Sequence, residues 1–214
     1  MTYNNSPNYK FLLLLSLLKK VLRGFLYSYK FTSKHFVAIG KNVKILGKKK
    51  DLIIGKRVKI EDNAFIQSVC KNKIIFGDNV TICQNALIRP SGFYGGGLGS
   101  GLKMGNYSSI GAFSYIGCSG QITIGNYVMI GPRCTMIAEN HNFSDLSVPI
   151  QSQGVNQKGI VIKDNVWIGA NVTILDGVTI EEGCVIGAGS VVTKSTQKNG
   201  VYVGVPSKLL KMRG

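Results

Sequence analysis

An aliphatic residue returns at every sixth position over most of this 214-residue chain, and that spacing fits neither an α-helix nor a long alternating strand. Ile54, Ile60 and Ile66 form one run, Phe76, Ile82 and Ile88 a second, Met104, Ile110 and Ile116 a third, and Ile124, Ile130 and Met136 a fourth. The longest is Ile162, Ile168, Ile174, Ile180, Ile186 and Val192. A second comb of smaller residues lies four positions later, as in Val58, Ala64, Val80, Ala86, Val128, Cys134, Val166, Val172, Val178, Cys184 and Ser190. Gly commonly comes directly after the main position, and Asp-Asn or Asn-Val steps lie nearby, which is the chemistry of tight corners. A prism with three short faces satisfies all of this. Three six-residue units make one turn, and like residues stack above each other about 4.8 Å apart. The fold class is an all-β parallel β-helix; periodicity alone leaves its hand open.

The comb is interrupted twice. Residues 90–103 carry a segment with six glycines between Gly92 and Gly101, which reads as a flexible loop or as the rim of an acceptor cleft. Residues 139–161 carry a polar excursion beginning Glu139-Asn-His-Asn-Phe-Ser-Asp. Loops that leave a rigid scaffold are free of its packing rule, so function is expected there.

The net charge of +16 is concentrated before the repeats, with no acidic residue until Asp51. Residues 1–50 therefore form a basic segment, attractive to nucleic acid, anionic lipid or a phosphorylated ligand alike. Within it, residues 10–30 place Ser16, Lys19, Lys20, Arg23, Tyr27 and Lys30 on one face of a helix and Leu and Phe on the rest. Such a helix either packs on the end of the main domain or lies on a membrane surface. Lysines interrupt the apolar run, so neither a signal peptide nor a spanning helix is expected. Five cysteines without CxxC spacing suggest small buried hydrophobes in a reducing compartment. The cytoplasm is the expected location, with the helix bringing the inner face of the cell membrane within reach.

His35 lies in the basic segment and reads as a packing or surface residue. His141 sits in the polar excursion, where a neutral imidazole suits removal of a hydroxyl or amine proton near pH 7. Glu139, Asn140 and Asp145 are the nearby groups that could orient it. Metal-binding, P-loop and GxSxG motifs are absent, and no metal is expected. Trp167, the sole tryptophan, stands beside the inward Ile168 and should point outward, onto a subunit interface or a ligand channel.

The stretches Ile162-Lys-Asp-Asn-Val-Trp-Ile-Gly-Ala-Asn-Val-Thr-Ile-Leu-Asp-Gly-Val-Thr-Ile180, Val185-Ile-Gly-Ala-Gly-Ser-Val-Val-Thr-Lys194 and Gly204-Val-Pro-Ser-Lys208 resemble the C-terminal half of hexapeptide-repeat acyltransferases, the sugar and polysaccharide O-acetyltransferases above all. The resemblance implies a left-handed coil, an exception to the usual right-handed connection. It implies a homotrimer with active sites between subunits, an acetyl-coenzyme A donor, and a sugar or glycan acceptor. It makes His141 the catalytic base. Trp167, Gly169, Ala170, Ala188, Thr193 and Lys194 match residues along the coenzyme A channel, and Lys208 and Lys211 match basic residues near the nucleotide phosphates. Residues 51–194 then form the transferase coil and 195–214 a donor-binding tail. Where galactoside acetyltransferases grip their sugar with Asn and Asp, the matching positions are Gly111 and Ser119, which argues against a simple galactoside as acceptor. Transfer to an amino sugar is the rival reaction. A noncatalytic scaffold that uses its basic end for nucleic acid is disfavoured, because aromatic and basic residues do not interleave.

Overall fold

The six-residue steps build a three-walled coil in the computed structural model, which describes residues 7–90 and 97–214, with side chains from residue 10 onward. Among the described residues the first wall stacks nine strands in chain order, from Ala38–Ile39 to Lys208–Met212. The second stacks seven, from Lys44–Leu46 to Val191–Val192, and the third six, from Leu52–Ile54 to Thr179–Ile180. Every pairing within the walls is parallel except the last, where Lys208–Met212 turns back along Gly200–Val203.

Register is set by the comb. Ile60 pairs with Ile82, Ile82 with Ile110, Ile110 with Ile130, Ile130 with Ile168, and Ile168 with Ile186, so each inward side chain rests on the one below it. The residues of both combs are buried. Removing one inward Ile side chain to Ala would cost roughly 2–5 kcal/mol, because its neighbours are fixed by their own ladders and cannot close the void.

The corners are built as sparingly. Asn79, Asn165 and Asn171 sit in the left-handed region at φ 57, 58 and 57°, which a short amide side chain tolerates. Along one corner Asp78, Asn106, Asn126 and Asp164 each accept a backbone N–H from the preceding rung, at 2.9, 2.7, 2.8 and 2.8 Å. Where the first wall turns into the second, Gly131 lies so close below Gly169 that an added Cβ would stand 2.8 Å from the Ala170 nitrogen. A side chain there would push the rungs apart.

The coil reaches back beyond residue 51. Val37, Ile39, Val43 and Ile45 are buried and form an earlier rung, in which Ala38–Ile39 pairs with Lys59–Ile60 and Lys44–Leu46 with Phe65–Gln67. The Gly-rich segment divides. Residues 91–96, and with them most of the expected flexible loop, lie outside the described residues. Gly99, Ser100 and Gly101 are bonded into the scaffold: Lys71 N–H donates to Gly99 O at 2.8 Å, and Ser100 N–H to Ser119 O at 2.7 Å.

Helix α1 (Pro7–Leu26) packs against this first rung. It does so with its polar side. Arg23 Nε donates to Ile39 O at 2.9 Å and Tyr27 Oη to Val43 O at 3.2 Å. Gly24 is buried against the Val37 carbonyl, with no room for a Cβ.

Candidate functional site

The polar excursion is an arm. Ala138 N–H donates to Gly117 O at 3.0 Å and closes the second wall. The chain then leaves as Asn140–His141 and returns as Val155–Asn156 in a two-stranded antiparallel ribbon, with Asn140 opposite Asn156 and His141 opposite Val155. Asp176, on the next rung, accepts from Lys158 N–H at 3.0 Å and Gly159 N–H at 2.7 Å and so fastens the arm's root.

The tip is held by Gln153. Its Nε2 donates to Asp145 O at 2.7 Å and Val148 O at 2.8 Å, while its Oε1 accepts from Asp145 N–H at 3.1 Å. Asn142 adds its N–H to Gly154 O at 3.0 Å and its Nδ2 to Gln153 O at 3.0 Å. Neither Gln153 nor Asp176 stood out in the sequence, since both look like ordinary polar loop residues. The visible signal was only that Asp176 sets an acidic residue before Gly177 within the Ile174–Ile180 step.

His141 projects from this clamped ribbon into solvent. Of the three residues expected as its orienting partners, Glu139 and Asp145 are occupied otherwise. Glu139 accepts from Gln157 Nε2 at 2.9 Å. Asp145 accepts from Ser147 Oγ at 2.6 Å and Ser147 N–H at 2.9 Å, bonds that hold its carboxyl below the usual range. Asn140 is exposed in the ribbon. Among the described residues of this one chain, no side chain bonds the imidazole. The arm also carries apolar side chains outward: Phe143 is 70% and Leu146 99% exposed. Each would gain about 1.5–3 kcal/mol on burial.

The remaining expected residues fall into three groups. Trp167 stands out from the first wall between Met129 and Val185 and joins Tyr127, Val201, Lys211 and Arg213 around a recess of about 400 Å³. Gly169, Ala170 and Ala188 stack at the next corner, where a Cβ on Gly169 would lie 2.6 Å from the Ala188 nitrogen. Thr193 and Lys194 are exposed beyond the far edge of the second wall, at the corner from which the arm leaves two rungs earlier. Lys208 lies on the returning strand opposite Val203. The whole second wall therefore separates His141 from the Trp167–Lys211 recess within one chain. That recess has apolar walls with the cations Lys211 and Arg213 on its lining.

Comparison with known proteins bears on this arrangement. Residues 159–194 match the family model of the bacterial transferase hexapeptide, six repeats. The six-residue repeats of that stretch are those the family model describes. The coil is the left-handed parallel β-helix of the structurally similar sugar acyltransferases. The galactoside O-acetyltransferase of Lactococcus lactis is 35% identical over 86 residues, 40% of this chain and 40% of that one. An Escherichia coli K12 protein named for O-acetyl transfer in lipopolysaccharide biosynthesis, WbbJ, is 32% identical over 97 residues, 42% of this chain and 50% of that one. The chain thus spans half or less of the length of these curated relatives. Among solved structures, the chain is similar to AntD, an N-acyltransferase from Bacillus cereus crystallised with dTDP and 3-hydroxybutyryl-CoA. The TM-score is 0.59 with 26% identity, covering 90% of this chain and 88% of that one.

Proposed function

We propose that this protein is a trimeric transferase that moves an acetyl group from acetyl-coenzyme A to a hydroxyl of a sugar or glycan precursor, with His141 as general base. The observation that carries the reading is the arm: a clamped ribbon that presents one imidazole clear of the coil, on a root bonded to the next rung. The curated relatives named for O-acetyl transfer to galactosides and in lipopolysaccharide biosynthesis support the reaction class.

The reaction needs a base, a donor channel and a polariser. His141 takes the acceptor's hydroxyl proton as the oxygen forms its bond to the thioester carbonyl. The C–S bond then breaks, and the imidazolium returns the proton to the leaving thiolate. Gly169 N–H is committed to Ile186 O at 2.8 Å, which leaves the Ala170 N–H as the candidate for the developing oxyanion. Trp167, Ala188, Thr193, Lys194, Lys208 and Lys211 are assigned to the donor.

Because one chain keeps base and recess on opposite sides of its second wall, a complete site needs a second copy. A closed ring of three supplies it by setting the arm of one subunit beside the recess of the next, and it covers Phe143 and Leu146. A Cβ on Gly111 would stand 2.3 Å from Gly131 O, so no sugar-gripping side chain fits there, and the acceptor differs from a galactoside held by Asn at that place.

A second reading has support of its own. AntD is an N-acyltransferase, and an amine acceptor would use the same base and donor. Coenzyme A release with matched hydroxyl and amine sugars separates the two. Turnover confined to amines would replace the hydroxyl reading, and a compact, fully active monomer in sedimentation would sink the shared site.

A further inference from the structure

Helix α1 is mounted with its polar side inward. Arg23, Gly24 and Tyr27 meet the first rung, and Lys20 borders a depression with Glu61 and Asp62. Leu14, Leu18, Leu22 and Phe25 form a continuous arc on the other side, three or four residues apart, and are 65%, 63%, 62% and 67% exposed. A helix that merely capped the coil would bury such an arc. Beside its C-terminal end, Phe25 and Phe36 open onto a cleft of about 640 Å³ whose rim carries Lys34, His35, Lys49 and Arg57. Phe36 is itself 75% exposed. Asp78 pairs with Lys56 on the same rim at 3.4 Å and lies within electrostatic reach of His35, while the segment before Asp51 brings no carboxylate to Lys34 and Lys49.

We propose that α1 and this cationic cleft dock the protein on the surface of an anionic lipid bilayer. The Leu14–Phe25 arc enters the boundary between headgroups and acyl chains, and the cleft's lysines and arginine face lipid phosphates. Among the described residues no helix is long and apolar enough to cross a membrane, which suits a surface-lying helix. The charge decides between a bilayer and a second copy. Pairing arcs between copies would bring uncompensated basic segments together, whereas anionic headgroups neutralise them. A nucleic acid would satisfy the cations and leave the apolar arc in water.

The test is flotation of the full chain with vesicles of phosphatidylcholine alone or with about a third phosphatidylglycerol. Wild type is expected to float with the anionic vesicles, less so as salt rises, and weakly with neutral ones. Leu14→Ser with Leu18→Ser touches no coil contact and should lower partition by about 100-fold with an unchanged circular dichroism melt. Lys34→Glu with Lys49→Glu should lower it by about 10-fold or more on anionic vesicles only. Protein left at the bottom with both vesicles would overturn the proposal, as would the Leu14/Leu18 variant floating like wild type. If that variant instead breaks the oligomer in sedimentation while vesicle binding persists, the arc is an interface between copies and the proposal fails. None of these readouts depends on acetyl transfer, so this inference and the proposed reaction stand or fall separately.

Discussion

Replacing Gln153 by Met should open the His141 arm without unfolding the coil. Gln153 supplies three of the bonds that hold the arm's tip, at 2.7, 2.8 and 3.1 Å, and Met keeps its length while offering neither the donor nor the acceptor. Each such bond contributes about 0.5–1.5 kcal/mol net. Water can reach the half-exposed side chain and replace part of that, so the three together are worth about 2–3 kcal/mol. This is local free energy, because the ribbon can separate while every inward Ile remains in its ladder. The ratio of closed to open arm should fall by roughly 30- to 150-fold. If the closed arm is the reactive form, kcat/KM for coenzyme A release falls with the closed fraction, by up to about the same factor. Hydrogen exchange provides an independent measure, since the Asn142 amide donates to the Gly154 carbonyl, a backbone bond that the substitution leaves intact and that only the closed arm makes. Its loss of protection should account for the loss of activity, while Tm stays within about 2 °C. Wild-type kcat/KM with that amide unprotected would refute the reasoning, and so would a large fall in Tm with the arm still protected.

Three further outcomes are expected. His141→Asn should lower acetyl transfer by about 10²–10⁴-fold, roughly 3–5 kcal/mol of transition-state stabilisation, with donor binding and the thermal melt intact; wild-type turnover would leave His141 as a loop residue. Lys208→Ala with Lys211→Ala should weaken coenzyme A binding more than dephospho-coenzyme A binding in titration calorimetry, and the difference should shrink in high salt. The buried Cys118 thiol is held well above its ordinary 9.0, by desolvation first and the nearby Cys70 second. A thiol raised in the folded state keeps its proton where the unfolded chain has lost it, so its stability contribution is full below pH 9 and declines as pH rises. Melts from pH 8 to 10.5 should fall in stability by up to about 1.4 kcal/mol per pH unit from this group, and Cys118→Ala should flatten that slope.

The walls were legible because a comb residue carries two kinds of information at once. Its spacing gives the turn length, and its side chain must rest on the next comb residue, so Ile130 could pair only with positions such as Ile110 and Ile168. The first rung escaped notice although Ile39, Val43 and Ile45 obey the same spacing. Lys41 and Lys44 occupy its outward positions, and the Lys48–Lys50 insertion breaks the step to Leu52, so the stretch reads as a basic segment. The amphipathicity of α1 was legible as well, with Lys19, Lys20 and Arg23 on one face. Which face packs was not, because that depends on backbone acceptors at Ile39 and Val43 that no side-chain pattern reports.

The site was legible in its parts and not in its assembly, for a related reason. A six-residue repeat makes the three corners chemically alike, so spacing alone cannot place Thr193 with the arm and Trp167 a full wall away. Stacking decides it: Thr135, Thr173 and Val191 share one wall, and the chain beyond each of their strands must emerge at one corner. The His141 arm and the Thr193–Lys194 pair are therefore neighbours along the axis by construction. Trp167 is fixed on the first wall through Met129 and Val185, and in the proposed trimer it meets the imidazole of another copy. The same stacking explains why Glu139 and Asp145 face their own loop. Within the arm Gln157 donates to Glu139 and Ser147 to Asp145, and on the proposed trimer a group that orients His141 comes from the neighbouring subunit or from the acceptor itself.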